Sequence, residues 1–286
     1  MTNPLGTVEL ADLAHGQICY YELGEGSPVV FVHGLLVNAN LWRKVVPDVA
    51  AAGHRCISAD WPLGSHRVAL SEADLTPPGV ADLIAEFLEC LDLNDVTLVA
   101  NDTGGGITQI LMTRHPERIG RVVLTPSDSF ERFFPPAFSF LPVFARIPGA
   151  IWLLTQTLRL RWLHRLPFTF GWVSKRPIPR DIVDGYLGPS RDDRRIRADL
   201  ARFLRTVDRR HTQEAAEQLD KFTKPVLLAW ANEDKLFPIS LAHRLQQVLP
   251  SAELVEIPDS YTFVPEDSPE VLSRLIIEFI PADVAS

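Results

Sequence analysis

Short apolar runs alternate along this chain with segments in which apolar residues recur every three or four positions. Two early runs, Thr7 to Leu13 and Gln17 to Leu23, alternate polar and apolar residues around Ala14-His15-Gly16, which predicts an opening β-hairpin. Among the later runs, Val96 to Ala100 is β-branched and unbroken by charge, as is typical of a strand buried on both faces of a parallel sheet. The later predicted strands span residues 28–34, 54–58, 95–100, 121–125, 225–230 and 253–257.

Helical spacing appears in the segments that separate these strands. A helix is predicted around Leu41, Trp42, Val45 and Val46, and another begins after Thr76, whose side chain is suited to capping its first turn. Further helices are predicted over 103–115, over 239–248, and from residue 269 behind a Ser268 cap. Strands that alternate with helices predict an α/β fold with a doubly wound, mostly parallel sheet, which binds ligands at the carboxyl ends of its strands.

Residues 129–213 differ from the rest of the chain, since they are rich in Phe, Trp, Leu and Arg and show helical spacing in their second half. We predict that they form a helical cap inserted into a core of residues 1–128 and 214–286. The aromatic residues of the cap favour an apolar pocket roof. Arg159, Arg161 and Arg165 alternate with apolar residues, a pattern that suits a membrane surface or a partner protein, but we expect a solvated helix face.

Composition narrows the function classes. The 286 residues are 46% hydrophobic and 22% charged, as in ordinary globular proteins, and the net charge of −8 argues against a nucleic-acid partner. Cys19, Cys56 and Cys90 are widely spaced in apolar runs and are expected to be buried free thiols. The first residues show no export signal, and the apolar stretch 133–158 holds four prolines and an arginine. We therefore expect a cytoplasmic protein that does not insert into a membrane.

The most informative segment is DVTLVANDTGGGITQILMTRH, residues 95–115. It combines a strand-like run, an abrupt turn of small residues and a helix. A sharp turn of this kind drives its central residue, Asp102, toward positive φ, and the small neighbours Ala100, Gly104 and Gly105 tolerate the crowding. The turn would present the Asp102 carboxylate at the carboxyl end of the sheet, beside the unpaired N–H groups of a helix start. The alternative is that Asp102 only caps the helix.

Together, these segments resemble the α/β-hydrolase family over nearly the whole chain. The resemblance rests on His33-Gly34 after a strand and on Ala100-Asn101-Asp102-Thr103-Gly104, which matches the nucleophile elbow. No G-x-S-x-G occurs in the chain, and no cysteine lies in an elbow. The branch with an Asp nucleophile, which includes haloalkane dehalogenases and epoxide hydrolases, is therefore the most similar one.

This resemblance implies roles for several residues. Asp102 would attack a saturated carbon to form an alkyl ester, since a carboxylate is ionised at neutral pH without a base. Asp234, after the penultimate strand, matches the acid of the family triad, and the backbone N–H groups of Leu35 and Thr103 match the oxyanion donors. His33 is expected to brace its loop. Trp42 is a further candidate binding residue.

The chain departs from the family in its last loop. Thr262 stands where the catalytic histidine is expected, and no histidine follows His243. A threonine hydroxyl cannot serve as the base that activates water, so hydrolysis of an ester would be slowed by roughly a hundredfold to ten-thousandfold. His66 is the best substitute base in the sequence. Tyr186 is the only cap tyrosine that could act as an acid on an epoxide.

Markers of the narrower branches are also missing. Dehalogenases usually carry Asn after the HG pair and Trp after the nucleophile, where this chain has Leu35 and Thr103. Three hypotheses remain: a hydrolase with Asp102 as nucleophile, a lyase, isomerase or cyclase that uses Asp102 as acid or base, and an inactive ligand-binding homologue. No motif for a cofactor or a metal is present. The expected partner is a small or medium apolar organic substrate, bound by a monomer or a homodimer.

Overall fold

The computed structural model describes residues 3–167 and 169–281, and these form an α/β fold around an eight-stranded sheet. The predicted fold class is confirmed. The strands lie in the order β1-β2-β4-β3-β5-β6-β7-β8. Their bounds are Thr7–Leu13 (β1), Gly16–Leu23 (β2), Ser27–Val32 (β3), His54–Ala59 (β4), Val96–Asp102 (β5), Ile119–Ser127 (β6), Val226–Ala231 (β7) and Ala252–Ile257 (β8).

The sheet has an antiparallel edge and is otherwise parallel. β1 and β2 form the predicted hairpin, and β2 also pairs antiparallel with β4. All other neighbours are parallel, and the central strands β5 and β7 are almost entirely buried. Their apolar residues therefore pack against helices on both faces of the sheet. The carboxyl ends of β3, β5, β6 and β7 consequently meet at one edge, where the candidate residues lie.

Helices cover both faces of the sheet. Those outside the predicted cap span Val46–Ala51 (α1), Pro77–Cys90 (α2), Thr103–Arg114 (α3), Ile239–Val248 (α9), Val264–Asp267 (α10) and Pro269–Phe279 (α11). Those inside the predicted cap or reaching beyond it span Leu141–Phe144 (α4), Ala150–Thr157 (α5), Arg180–Asp192 (α6), Arg194–Thr206 (α7) and Arg209–Ala216 (α8). Short 3-10 turns span Ala39–Trp42, Pro136–Phe138, Arg161–Arg165 and Leu219–Lys221.

Two predicted helix starts have different outcomes. The Thr76 hydroxyl accepts a hydrogen bond from the Gly79 N–H at 3.1 Å, which confirms the cap of α2. Ser268 occupies the cap position of α11, but its side chain makes no capping hydrogen bond, so the predicted Ser268 cap is wrong in this respect. Instead, the preceding helix α10 runs almost directly into α11 and holds the backbone there.

Two further predictions need correction. The helix expected around residues 41–46 is a 3-10 turn followed by α1, because the Asn38 side chain caps the turn and Pro47 starts the helix. Cys19 and Cys56 are buried free thiols as expected, but Cys90 is exposed at the end of α2.

The division between core and cap stays a prediction, and α8 crosses the second predicted boundary, between residues 213 and 214, without a break. Residues 282–286 of the predicted core lie outside the described residues. None of the helices in the described part is long and apolar enough to cross a membrane.

Candidate active site

Asp102 lies at the junction of β5 and α3 with φ of 55° and ψ of −132°. This conformation is sparsely populated by residues with a side chain and is costly, so the surrounding structure must hold it in place. Three glycines allow the close approach. A Cβ at Gly34 would lie 2.6 Å from the Asp102 Cβ, while one at Gly104 or Gly105 would clash with the His33 carbonyl oxygen or with Ser127. The backbone geometry is thus that expected for the turn.

The half-buried Asp102 carboxylate is held on one side only. Its Oδ1 accepts hydrogen bonds from the Thr103 N–H at 2.5 Å and from the Thr103 hydroxyl at 3.1 Å. Burial raises the pKa of Asp102 to about 6, although the two bonds from Thr103 oppose the shift. The carboxylate is therefore mostly ionised at neutral pH. It acts both as a helix cap and as the charged group at the base of a cavity.

That cavity has a volume of about 170 Å³ and is almost entirely apolar. Leu35 and Thr103, the predicted oxyanion pair, line it together with Asp102. The Thr103 N–H is already bonded to Asp102 Oδ1, so this donor acts on the carboxylate itself. Apart from Asp102, the only polar side chains in the lining are threonines. The other lining residues include Phe134, Phe138, Phe140, Leu154, Leu158, Phe170, Val173, Leu236, Phe237 and Phe263.

His33 is fully buried beside this site, and both of its ring nitrogens are engaged. Nε2 accepts from the Trp61 N–H at 2.8 Å, so Nδ1 carries the proton and donates to the Gly34 carbonyl oxygen at 2.9 Å. Burial lowers the pKa of His33 to about 4. A neutral imidazole with both nitrogens occupied fixes the loop that carries Gly34 and Leu35, and it has no free position for proton transfer.

Asp234 follows β7 and reaches the same edge of the sheet. Its Oδ1 accepts from the N–H groups of Leu236 and Phe237, both at 2.7 Å. Burial raises its pKa to about 7, the Asp102 charge adds to the shift, and the Thr262 hydroxyl opposes it. The structure therefore brings Asp102, Asp234 and Thr262 together.

Thr262 is fully buried on the Asp234 side of this group. Its neighbour Phe263 lines the cavity, whereas Thr262 does not. Within the described residues, neither the Thr262 hydroxyl nor Asp234 Oδ2 makes a hydrogen bond with both suitable distance and suitable angles, although the two side chains lie close enough for the hydroxyl to affect the acid. The Thr262 hydroxyl thus lies near the acid but does not connect it to Asp102.

Three other candidate residues do not line the cavity. His66 Nε2 lies 3.2 Å from Asp199 Oδ2 of α7, so the substitute base suggested by the sequence is not positioned at the cavity. The fully buried Tyr186 points its hydroxyl toward Arg43 and Glu266 rather than toward the cavity, because that ion pair supplies polar partners. Trp42 packs against Phe31, with ring centroids 5.2 Å apart, and belongs to the core.

Asp128 is a further buried acid at this edge of the sheet, and it was not among the residues predicted from the sequence. This residue follows β6 and is fully buried, and its backbone N–H donates to the Asp102 carbonyl oxygen at 3.4 Å. Neither carboxyl oxygen has a hydrogen-bond partner in the described part of the chain. Burial, aided by the Asp102 charge, raises the pKa of Asp128 well above its usual range, while the Thr103 hydroxyl lowers it. The missed signal was an acid directly after a buried strand, the same signal that identified Asp234.

Metal binding is not indicated by this arrangement of acids. Among residues 3–167 and 169–281, no group of three or more His, Cys, Asp or Glu side chains has a geometry that could hold a metal ion.

A model of the alpha/beta hydrolase family matches residues 29–275, which include the Gly34 loop, the Asp102 turn and the last loop. The chain belongs to the alpha/beta hydrolase family. Membership in this family agrees with the sheet order and with the turn between β5 and α3 described above.

Several relatives in this family cover almost the same length. An uncharacterized hydrolase of Bacillus subtilis is 29% identical, over 91% of this chain and 92% of its own. A cis-3-alkyl-4-alkyloxetan-2-one decarboxylase of Shewanella oneidensis is 28% identical, over 90% and 83%. A haloalkane dehalogenase of Mycobacterium bovis is 28% identical, over 93% and 92%.

Solved structures show the same fold. A haloalkane dehalogenase of Agrobacterium tumefaciens superposes with a TM-score of 0.78 at 22% identity, covering 95% of each chain. An epoxide hydrolase superposes with a TM-score of 0.79 at 20% identity, covering 96% of this chain and 98% of its own. The expected resemblance to haloalkane dehalogenases and epoxide hydrolases is therefore confirmed at the level of family and fold.

Proposed function

We propose that this protein is an enzyme in which Asp102 attacks a small or medium apolar electrophile and forms an alkyl ester. The observation that carries the proposal is an ionisable carboxylate in a strained turn at the base of an apolar cavity of about 170 Å³. A helix cap alone does not require that strain or an apolar lining. The cavity volume corresponds to several water molecules at roughly 30 Å³ each, which limits a fully enclosed substrate to a small organic molecule.

The first step needs only the groups described at the turn. Thr103 holds Oδ1, so Oδ2 is the oxygen that attacks a saturated carbon. A carbon–halogen bond would break with loss of halide, or an epoxide carbon–oxygen bond would break to give an alkoxide that takes a proton from solvent. Gly34 leaves room for this approach, because a Cβ there would lie 2.9 Å from Oδ2.

Hydrolysis of the ester is the slower of the two proposed steps, because the described lining of the cavity offers no base to activate water. Water would have to attack the ester carbonyl carbon, and the Leu35 and Thr103 N–H groups would stabilise the resulting oxyanion. Thr262 cannot accept the proton of that water, and neither His33 nor His66 is free in the cavity. We propose a haloalkane dehalogenase-like or epoxide hydrolase-like activity with slow ester release.

A second candidate avoids water altogether, and Thr262 is the observation that favours it. The relative from Shewanella oneidensis decarboxylates disubstituted oxetan-2-ones, according to its name. In such a reaction, Asp102 would attack the saturated ring carbon that is bonded to the ring oxygen, and that carbon–oxygen bond would break to release a carboxylate. Loss of carbon dioxide would then form the carbon–carbon double bond and expel Asp102 as a carboxylate. Neither step removes a proton, so no base is needed, and this lyase chemistry suits a site that lacks histidine.

Intact mass spectrometry tests both candidates. The protein is incubated with a panel of haloalkanes, epoxides and dialkyl oxetan-2-ones, and Asp102→Asn is the matched control. The hydrolase proposal expects a mass increase equal to the alkyl group less one hydrogen for a haloalkane, or to the whole molecule for an epoxide, and Asp102→Asn abolishes it. The lyase candidate expects release of alkene and carbon dioxide without lasting adduct. An absence of both adduct and turnover over the whole panel would sink the proposed function.

We further propose that the protein works in the cytoplasm as a monomer or a homodimer, without a cofactor. The reaction proposed above needs no electron or group carrier, because the nucleophile and the oxyanion donors come from the chain itself. The proposed cap, residues 129–213, supplies most of the apolar lining, including Phe134, Phe138 and Leu158.

A further inference from the structure

Large hydrophobic side chains are exposed mainly in one segment of the described chain. Eight of the ten such side chains lie between residues 140 and 172, and the other two are Val8 and Leu10 on β1. Trp162 is 67% exposed, and Trp152 and Leu153 are each 53% exposed. The remaining five are Phe140, Val143, Ile147, Leu160 and Trp172. A concentration of this kind marks an interaction surface rather than ordinary surface composition.

The same segment differs from the rest of the protein in charge. Residues 132–180, which we term the acid-free segment, contain eight Lys or Arg and no Asp or Glu, although the whole chain has a net charge of −8. Arg146, Arg165 and Arg180 are exposed. Arg159 is paired with Asp192, which lies outside the segment, at 2.9 Å. Leu160 and Trp162, which follow Arg159 in the chain, are exposed as well, so exposed cations and exposed apolar side chains lie close together in the sequence here.

The exposed apolar residues continue into the cavity above Asp102. Phe140 is 47% exposed and also lines the cavity, so it lies at the cavity mouth. Helix α5 presents Trp152 and Leu153 to solvent and turns Leu154 toward the cavity. Whatever covers this surface would therefore also cover the entrance used by an apolar substrate.

A second cavity lies beside the same surface and has a volume of about 450 Å³. Trp162, Arg165, Arg176 and Arg180 contribute to its lining, and Asp184 is the one acid among the lining residues of the described chain, so cations outnumber acids there. Arginine guanidinium groups bind phosphate oxygens, and tryptophan prefers the boundary between water and hydrocarbon. The combination suits a phospholipid, whose phosphate group lies next to its acyl chains.

We propose that the acid-free segment docks on the surface of an anionic phospholipid bilayer, with the mouth of the Asp102 cavity facing the lipid. The exposed Trp and Leu side chains enter the interfacial region, and the arginines contact the anionic headgroups. No helix needs to cross the bilayer. An apolar substrate dissolved in the bilayer then reaches Asp102 without passing through water. Docking itself does not depend on the reaction proposed for Asp102.

Vesicle co-sedimentation of the full-length protein tests this proposal. Vesicles of phosphatidylcholine alone are compared with vesicles that also contain phosphatidylglycerol. We expect binding to the mixed vesicles only, and we expect high salt to weaken it. The triple variant Arg146→Gln/Arg165→Gln/Arg180→Gln should bind roughly a hundredfold more weakly. Its matched control, Arg194→Gln/Arg195→Gln/Arg210→Gln, removes the same charge outside the segment and should bind as the native protein does.

The apolar contribution has its own matched pair of variants. Trp152→Gln/Leu153→Gln should lose vesicle binding, whereas Val8→Gln/Leu10→Gln, which alters equally exposed residues on β1, should retain it. Asp102→Asn should bind normally, so a failure of the proposed reaction can be distinguished from a failure of docking. The proposal is overturned if the native protein ignores anionic vesicles, or if both apolar variants bind equally well. It is also overturned if Trp152→Gln/Leu153→Gln instead dissociates a protein dimer that does not bind vesicles.

Discussion

The Asn101 side-chain amide donates a hydrogen bond to the Thr262 carbonyl oxygen at 2.7 Å. This bond ties the last loop directly to the residue before Asp102. The same amide also donates to the Thr125 hydroxyl at 2.7 Å, so β5, β6 and the last loop share one polar anchor. The backbone at position 262 is therefore held beside the turn that carries Asp102.

Thr262→His is expected to supply the base that the proposed ester hydrolysis lacks. An imidazole at this position would accept the proton of an attacking water while Asp234 orients it, and general-base catalysis is worth roughly a hundredfold to ten-thousandfold. Single-turnover measurement of the decay of the Asp102 ester should show an acceleration of that size. The rate of ester formation should change little, because Asp102 needs no base.

Thr262→Val is the matched control for this experiment. It removes the hydroxyl and keeps the shape of the side chain, so it should leave the ester lifetime as long as in the native protein. An unchanged lifetime in Thr262→His, with a folded protein and a reactive Asp102, would contradict the assigned role of position 262. Faster decay in both variants would point to simple entry of water instead.

The rate of ester formation should depend on the ionisation of Asp102. Burial raises its pKa to about 6, and only the carboxylate is a nucleophile, so the rate should rise with pH and level off above that value. Measuring adduct formation by intact mass across this range gives the midpoint. Thr103→Val should move the midpoint upward, because the Thr103 hydroxyl lowers the pKa of Asp102. Thr103→Ser retains a hydroxyl and should leave the midpoint close to the native one.

Periodicity predicted the sheet and most helices because burial on one or both faces leaves a regular pattern in the sequence. The turn at Asp102 was predictable for a different reason, since few sequences place small residues on both sides of an acid between a strand and a helix. Asp128 could have been predicted from its place directly after a buried strand, whereas the orientation of Tyr186 depends on contacts between distant segments. The Tyr186 hydroxyl lies 3.4 Å from Glu266 Oε1, although the two residues are 80 positions apart in the sequence. No local sequence pattern predicts such a contact.

Asp128→Asn is expected to stabilise the protein increasingly as pH rises. Burial holds the pKa of Asp128 well above its unfolded value near 3.8, so the folded state binds more protons than the unfolded chain. The free energy of unfolding therefore falls as pH rises through that interval, and Asn removes this loss. We expect a gain of about 1–3 kcal/mol at mildly alkaline pH and little change near pH 4.

Urea unfolding at several pH values measures this effect. Asp220→Asn alters an exposed carboxyl and is the matched control, for which no comparable trend is expected. A gain for Asp128→Asn that stays constant with pH would show that the benefit comes from packing rather than from a buried charge. A loss at all pH values would contradict the description of Asp128 as an unpartnered acid.

Gly34→Ala tests how closely the His33–Gly34 loop controls the reactive carboxylate. The added Cβ would lie 2.6 Å from the Asp102 Cβ and 2.7 Å from its Cγ, so the side chain or the loop must move. A displacement of this order lowers the rate of a reaction that depends on exact positioning by about a hundredfold, and the rate of adduct formation would measure that loss.

Gly185→Ala is the control, because nothing lies within 4 Å of its added Cβ and the position is inside α6. It should leave the rate unchanged and raise the free energy of unfolding by up to about 1 kcal/mol. Equal rates for the two variants would mean that the Gly34 contact does not position Asp102.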